Sequence, residues 1–598
     1  MRPQNKKEKR RLRAPGLGMR LPAFLLAVVL LLSGCQSAPA PAEPTPEPQT
    51  GTETPPETTP QPVNETPNPL PPEVPRLRFS HGSGVYAEDE ISVQIEAPDG
   101  YHIAYTTNGC TPTSADDSGQ SVLTITLRAE GEGYLAGRGE LMTHPDEAAI
   151  LEDEELPRGC VLCASAVEAS GEIFPPETRV FFLGTDFSER FPSCLVVSVY
   201  TDPENLLDYE SGILATGAVF DAWSQTEEGR AALEAHDFWV YETNSTQKGR
   251  EWERPCLVQI YDGSDRPAAE KKAGMRVRGG VSRRFSQKSF NFYFRREYGS
   301  KYLDYELFEG VWKYKSFSLN AGGNSTEWMK FRESFLESMA ADRDVGFLSS
   351  RMAVLFLNGE YWGPYLLTEK LSAQTLVDHY GVDPDQIVLI KNLEVEVGQE
   401  EDIALYEELM SYAEKDLADP EIYRQFCGIM DVRSMADYAA LRIYVGDADW
   451  STENNDVLWR SRDRSWNDGR WQYFLYDVEF SSGLYGISST ASDFNHFEMM
   501  LEKYPLLAAA LRNEEFYALF LNALKEIGTV NYQPARVDRE LKLWNSEWSP
   551  LLADYHRRYD VDPEHWKWDQ FFTSYFFRRR YSFLIPRVEA WHRTGGAG

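Results

Sequence analysis

Apolar side chains alternate with polar ones in successive segments between Cys256 and Thr368, and from Leu405 onward they recur every three or four residues. A period of two builds a strand with one buried face, and a period near 3.6 builds a helix. A chain that runs through strands first and helices afterwards folds as α+β, with the two kinds of element kept apart. Met275-Arg276-Val277-Arg278 is one such strand and runs into Gly279-Gly280-Val281-Ser282-Arg283-Arg284; Lys288–Phe294 is the next. Phe331, Phe335, Leu336 and Met339 share one face of a helix expected over Thr326–Arg343. Met352–Leu357 and Tyr361–Thr368 are the arms of a hairpin, because Asn358-Gly359 supplies two residues that tolerate positive φ. Leu405, Leu409 and Tyr412 then belong to one helix, and Met435, Tyr438, Ala439, Leu441 and Ile443 to another that Asp431 caps.

The N-terminal part has a different character. Residues 1–20 hold eight Lys and Arg against one acid, and the apolar run Leu21–Leu32 ends at Ser33-Gly34-Cys35. A basic start, a short apolar core and a small-residue exit describe an export signal over 1–34. Leu32-Ser33-Gly34-Cys35 resembles a bacterial lipobox, which implies that Cys35 becomes the lipidated first residue and holds an exported protein on the outer face of a membrane. Residues 36–75 contain 14 of the 35 prolines and no Lys or Arg, so 35–76 reads as an extended, solvated tether. The chain has 598 residues and a formal charge of −33. That length holds two to four domains at roughly 100–200 residues each. The charge argues against a nucleic-acid partner, which asks for a basic face.

Residues 77–185 read as a small all-β domain. Ile91, Val93 and Ile95 alternate, Asp99-Gly100 turns the chain, Tyr101, Ile103 and Tyr105 alternate again, and Asn108-Gly109 turns once more. Tyr105–Thr113 resembles the recurring core of the β-sandwich found at the C-terminus of chitobiases and hexosaminidases, which implies a spacer or accessory module. Cys160-x-x-Cys163 lacks a second pair, so zinc is disfavoured, and a disulfide from Cys110 to Cys160 or Cys163 is an open expectation.

The chemistry is expected in residues 190–590. The helix that Asp431 caps delivers the chain to Gly446-Asp447-Ala448-Asp449, and Asn454 follows Asp449 by five positions. A short hairpin follows, and Asp477 opens the turn after it, 28 residues beyond Asp449. Protein kinases space D-x-x-x-x-N in this way and place a metal-binding Asp after the next hairpin. A triphosphate needs hard cations, hard cations need oxygen ligands, and the acceptor hydroxyl needs one more carboxylate.

Gly274–Gly299, Arg351–Lys370, Gly446–Asp456 and Tyr476–Gly483, in that order, resemble the CotH kinase family of atypical protein kinases. The resemblance implies a kinase-like fold that uses ATP with Mg²⁺ (or Mn²⁺) and phosphorylates protein Ser or Thr. Carried over, Asp449 is the catalytic Asp, and Asn454 and Asp477 are the metal ligands. Lys288 is the candidate phosphate-binding Lys, with Glu333 or Glu337 as its partner. Gly279, Gly280 and Arg283 stand in the phosphate loop, and Leu367–Lys370, including Thr368 and Glu369, is the hinge. The chain departs from the kinase pattern in having no G-x-G-x-x-G, Asp447-Ala448 in place of His-Arg, and Glu479 where the family often has a second Asp. Asn455 competes with Asn454, and Glu479 with Asp477, as ligands. Arg276, Arg278 and Arg283 meet phosphate or pair with acids. The C-terminal Trp566–Phe583 is expected as a helix packed on the core through Trp568, Phe571, Phe572 and Tyr575. The alternative function is a non-catalytic surface lipoprotein that binds a cell-surface polymer or a partner protein.

Overall fold

The computed structural model describes residues 74–129, 135–141, 150, 153 and 155–595, so the expected export signal, Cys35 and nearly all of the tether lie outside the described residues. Seven strands come first: β1 (Arg78–Phe79), β2 (Gly84–Tyr86), β3 (Glu90–Glu96), β4 (Tyr101–Thr106), β5 (Val122–Arg128), β6 (Gly159–Glu168) and β7 (Glu177–Leu183). They form two sheets, ordered β1-β3-β5 and β2-β7-β6-β4. Val93, Ile95, Ile125 and Leu127 from the first sheet meet Ile103, Leu162, Ala164 and Phe181 from the second in one core.

The strands β6 and β7 are apolar on both faces, and the second face has its own use. Val161 and Phe182 pack with Phe187, Val196, Tyr261 and Phe356, and the Phe182 and Phe356 rings lie 4.9 Å apart. The Glu360 carboxylate, 4% exposed, accepts the Leu135 and Ala136 N–H groups at 2.5 and 2.9 Å. The first seven strands are therefore fused to the larger C-terminal region through a shared core. Alternation also places the cysteines: Cys163 lies in this second core with its thiol 3.1 Å from the Tyr200 hydroxyl, while Cys160 points the other way and donates to the Arg128 carbonyl at 2.9 Å. Both are unbridged thiols, so neither expected disulfide forms.

The next strands are β8 (Leu195–Tyr200), β9 (Arg254–Tyr261), β10 (Ala269–Arg278), β11 (Ser289–Tyr293), the hairpin β12 (Leu303–Phe308) and β13 (Val311–Tyr314), β14 (Ser316–Asn320), β15 (Ser350–Leu357) and β16 (Glu360–Thr368). Seven of them close a barrel in the order β10-β11-β14-β16-β15-β8-β9. Only β8 and β15 pair in parallel within it. The hairpin β15–β16 turns as its sequence predicts, with Asn358 at φ 49° and Gly359 at φ 82°. A four-stranded sheet, β18-β17-β19-β20, is built from β17 (Ile387–Lys391), β18 (Glu394–Val397), β19 (Val457–Ser461) and β20 (Gln472–Tyr473).

The helices that matter to the site are α1 (Arg332–Met339), α2 (Ile403–Met410), α3 (Val432–Val445), α4 (Pro534–Tyr559) and α5 (Pro563–Arg593). No helix among the described residues is long and apolar enough to cross a membrane. The expected helix over Thr326–Arg343 is shorter than its apolar spacing indicates. Gly322 and Gly323 hold φ of 116° and 56°, and the Met329 N–H is drawn to Asp569 at 2.9 Å, so regular helix begins only at Arg332. The Asp431 carboxylate accepts the Arg433 and Ser434 N–H groups at 3.2 and 3.4 Å, as a helix cap should. Asp431→Ala is expected to cost about 1 kcal/mol of stability, read as a lower urea midpoint.

On α5 the period is helical but the phase is the reverse of expectation. Trp566, Asp569, Thr573, Phe576, Phe577 and Arg580 are buried, while Trp568, Phe571 and Tyr575 face solvent. Polar side chains choose the inner face because each has a partner there. Asp569 pairs with Arg332 of α1, both side chains fully buried, and Arg580 donates to the Ile443 and Tyr444 carbonyls at 2.6 and 3.0 Å. A buried charge holds its position only when paired in this way.

Candidate functional site

Helix α3 is buried on nearly every side, and Arg442 sits in its last turn with no exposed surface. Such a guanidinium must find acceptors, and it finds three. One nitrogen pairs with Asp447; another donates to the carbonyls of Asn455 at 2.8 Å and Tyr476 at 2.6 Å. Asp449 and Asn454 lie on the turn that Asp447 and Asn455 bracket, and Asp477 follows Tyr476. One side chain thus fastens both loops on which the expected site depends.

The strand β20 is only two residues long, and the chain leaves it sharply. Asp477 adopts φ 59°, a conformation that costs a non-glycine residue about 1–3 kcal/mol and is found where function repays it. Its N–H donates to the Glu333 carboxylate of α1 at 2.7 Å. Glu333, Asp477 and Glu479 each offer an oxygen within 4.8 Å of the others. Glu479 accepts the Asn324 N–H at 3.2 Å through one oxygen, and its other oxygen is buried with no hydrogen-bond partner.

Burial and the charge of Asp477 push Glu333 up to about 7 and hold Glu479 well above the usual carboxylate range. Asp449 is pushed up to about 7 by burial, then by Asp477 and Asp447. An orphaned buried oxygen inside a cluster of hard, mutually repelling carboxylates fits a small divalent cation. Mg²⁺ or Mn²⁺ would be held by Glu333, Asp477 and Glu479.

These acids form one end of a cavity of about 530 Å³, within the usual range for small-molecule sites. Its walls also carry Lys248, Arg278, Arg283, Lys370 and Lys391. Arg278 faces the acids directly: burial opposes its charge, but Tyr476, Glu333 and Asp477 outweigh that and raise its pKa. The first glycine of the Gly279-Gly280 turn is required, since it holds φ 121° and a Cβ there would lie 2.2 Å from the Ser282 hydroxyl.

The structure sorts the residues expected from sequence. Glu333, Asp477, Asn454, Gly279, Gly280, Arg283 and Glu369 line the cavity. Arg283 spends its guanidinium on the carbonyls of Gly279 at 2.6 Å and Gln247 at 2.5 Å, so it shapes the loop. Glu369 turns its carboxylate away to the Ser349 N–H and His379, both at 2.8 Å, and Thr368 is buried behind the wall. Lys288 is a correction. It is 2% exposed, does not line the cavity, and donates to the Phe285 carbonyl at 2.9 Å. Alternation explains this: Ser289 and Asn291 face the cavity, so Lys288 points the other way. Arg278, paired across the ladder with Ser289, brings the cation to Glu333 instead.

Asn454 also stands differently. Both it and Asn455 donate to the Asp449 carbonyl, at 2.9 and 3.1 Å, and both line the cavity. Extended backbone would have separated them, but Asn455 is at φ 59° and folds the pair to one side. Asp449, the expected catalytic Asp, is not part of the cavity lining; its carboxylate accepts the Asn455 amide at 3.4 Å. Arg442 is the residue sequence reasoning missed, although an Arg between Tyr438-Ala439-Ala440-Leu441 and Ile443-Tyr444-Val445, a stretch apolar on every side, was the signal for it.

A cavity lined by a carboxylate cluster and by Lys248, Arg278, Lys370 and Lys391, with walls from the strand barrel and from β17, carries groups whose chemistry suits a polyanion and a divalent cation. Residues 275–570 match the family described as CotH kinase protein, so this segment of the chain is of that kinase-like family. The match begins within β10, so β8 and β9 of the same barrel precede it. No curated protein matches the chain.

Proposed function

We propose that the protein is an atypical kinase that moves the γ-phosphoryl group of ATP to Ser or Thr hydroxyls of proteins. The reading further places it outside the cell, on a lipid attached at Cys35 and a tether of about 3.1 Å per residue, with residues 77–185 as a β-sandwich accessory module. The observation that carries the catalytic part is the cluster of Glu333, Asp477 and Glu479 facing Arg278 across one cavity. The divalent ion supplies neutralisation of the phosphate oxygens when bound. Arg278 faces the transferred phosphate, and the Gly279 loop covers it. Asp449, with a pKa near neutrality, takes the proton of the acceptor hydroxyl. The acceptor oxygen bonds to the γ-phosphorus, the bond from that phosphorus to the bridging oxygen breaks, and ADP leaves with the electron pair.

The test is transfer of label from γ-labelled ATP by the purified chain with Mg²⁺ or Mn²⁺. Absence of both transfer and ATP hydrolysis under every metal would end the reading.

A pH dependence arises from the same cluster and needs no turnover. Glu333 and Asp449 have folded-state pKa values raised from the unfolded values to about 7. The folded state therefore holds protons that the unfolded chain has lost, and stability falls as pH rises from about 4 to about 7. A cation that binds the ionised cluster reverses the loss. Thermal unfolding is expected to show a larger Mg²⁺-induced rise in Tm at pH 8 than at pH 5.5; an equal rise at both would contradict the assignment.

A further inference from the structure

Helix α5 turns three aromatic side chains outward, with a fourth half-buried beside them. Trp568 and Phe571 are 52% and 56% exposed, Tyr575 is exposed, and Phe572 is half-buried beside them. Their rings touch in sequence, with centroids 6.2 Å apart for Trp568 and Phe571, 5.9 Å for Phe571 and Phe572, and 6.0 Å for Phe571 and Tyr575. Scattered exposed aromatics are ordinary, but a contiguous patch marks a surface that meets something.

Its position says what. Phe572 lies on the loop that comes after Glu479: a Cβ at Gly486 would come within 2.8 Å of its ring. In that loop the Tyr485 hydroxyl donates to the Asn324 carbonyl at 2.5 Å, and the Asn324 N–H is bonded to Glu479. An unbroken line of contacts thus runs from the carboxylate cluster to the aromatic ledge. The charge is equally pointed. From Lys567 to Arg587 the sole acid is Asp569, buried against Arg332. Of the exposed cations there, Lys567 and Arg578 are paired with Glu564 and Asp538 at 2.6 and 2.7 Å, while Arg579 lies 5.2 Å over the Tyr575 ring with its charge directed to no acid among the described residues, on a chain whose net charge is −33.

Taking the kinase reading as its basis, we infer that this ledge docks the polypeptide that receives the phosphoryl group, through a bulky apolar side chain accompanied by acidic residues near the acceptor hydroxyl. Aromatic platforms give large contact area at low entropic cost, and Arg579 at the Tyr575 ring selects an acidic neighbour. A second copy of this chain fits poorly, because a two-fold contact would set the same cations against each other.

The test uses the full chain and two synthetic peptides around one Ser, the first with Phe, Leu and Glu flanks, the second with Gly and Gln in their place. Wild type is expected to favour the first through a lower KM. Trp568→Ala with Phe571→Ala is expected to raise that KM about tenfold and to leave the KM for ATP and turnover of the second peptide unchanged. Both positions are exposed, and an unchanged Tm checks the fold. An unchanged preference in the double variant overturns the inference. So does loss of phosphatidylglycerol-vesicle binding or of self-association with peptide KM unaltered, since the ledge would then serve a bilayer or a second copy. If wild type neither transfers label nor hydrolyses ATP, the kinase reading has failed on its own. Fluorescence anisotropy of the labelled first peptide then decides docking: weaker binding to the double variant supports it, and equal binding overturns it.

Discussion

Asp477→Asn is expected to reduce metal-dependent phosphoryl transfer by about a thousandfold, the scale of the several kcal/mol that a bound cation contributes to phosphoryl transfer. Asparagine is the informative replacement because it tolerates the left-handed backbone that Asp477 adopts at φ 59°, whereas most residues would strain the turn. It retains the N–H bonded to Glu333 and removes only the charge. The same substitution should change stability in the opposite sense. Asp477 is the charge that most raises Glu333 and Glu479 after burial itself, so its loss relieves the repulsion. Without metal the variant should melt higher than wild type at pH 8, and Mg²⁺ should no longer raise its Tm. A variant that keeps wild-type transfer, or one that keeps the metal-induced rise, would remove Asp477 from the site.

The second large effect is expected at Arg442, which is fully buried and does not itself line the cavity. Arg442→Met leaves Asp447 buried without its ionic partner, the Tyr476 carbonyl without its donor and the Asn455 carbonyl with only the Tyr438 hydroxyl at 3.4 Å. Breaking one side of a buried pair costs about 3–5 kcal/mol, against a total of about 5–15 kcal/mol for an ordinary domain. Urea unfolding should show it directly. The companion variant Arg442→Met with Asp447→Leu removes both charges and should recover a good part of that loss. It should not recover phosphoryl transfer, because the carbonyls of Asn455 and Tyr476 still lack the donor that ties their turns together. Arg442→Lys is expected to fail as well, since a single ammonium does not span three acceptors as a planar fork does. Recovery of both stability and transfer in the double variant would show that Arg442 merely neutralises Asp447.

Much of the fold was legible because most elements bury one face. The strands β9, β10, β11, β15 and β16, the Asn358-Gly359 turn and the cap on α3 follow from alternation and local turn chemistry, whereas β12 to β14 emerge only in the structure. The barrel was not legible, since β8 joins it from more than fifty residues before β9 and pairs in parallel with β15. Likewise β17 completes the sheet of β19 and β20 although α2 and α3 lie between them in the chain. On α5 the period was readable and the phase was not: aromatic content points to Trp568, Phe571 and Tyr575 as core, but the ion pair of Asp569 with Arg332 turns the helix the other way.

The site divides along the same line. Sequence by itself determined the types of group and their order, namely carboxylates on two turns behind a buried helix, a Gly-Gly turn and a family kinship, because spacing along a chain is a local property. Only the tertiary structure decided that Glu479 joins Asp477 and Glu333, that Arg278 rather than Lys288 meets them, and that Arg442 binds the two turns. Those choices rest on which face of a strand looks inward and on where left-handed residues re-aim the backbone. Both are settled when distant segments pack, since a buried charge must then find its counterpart wherever the fold has brought it.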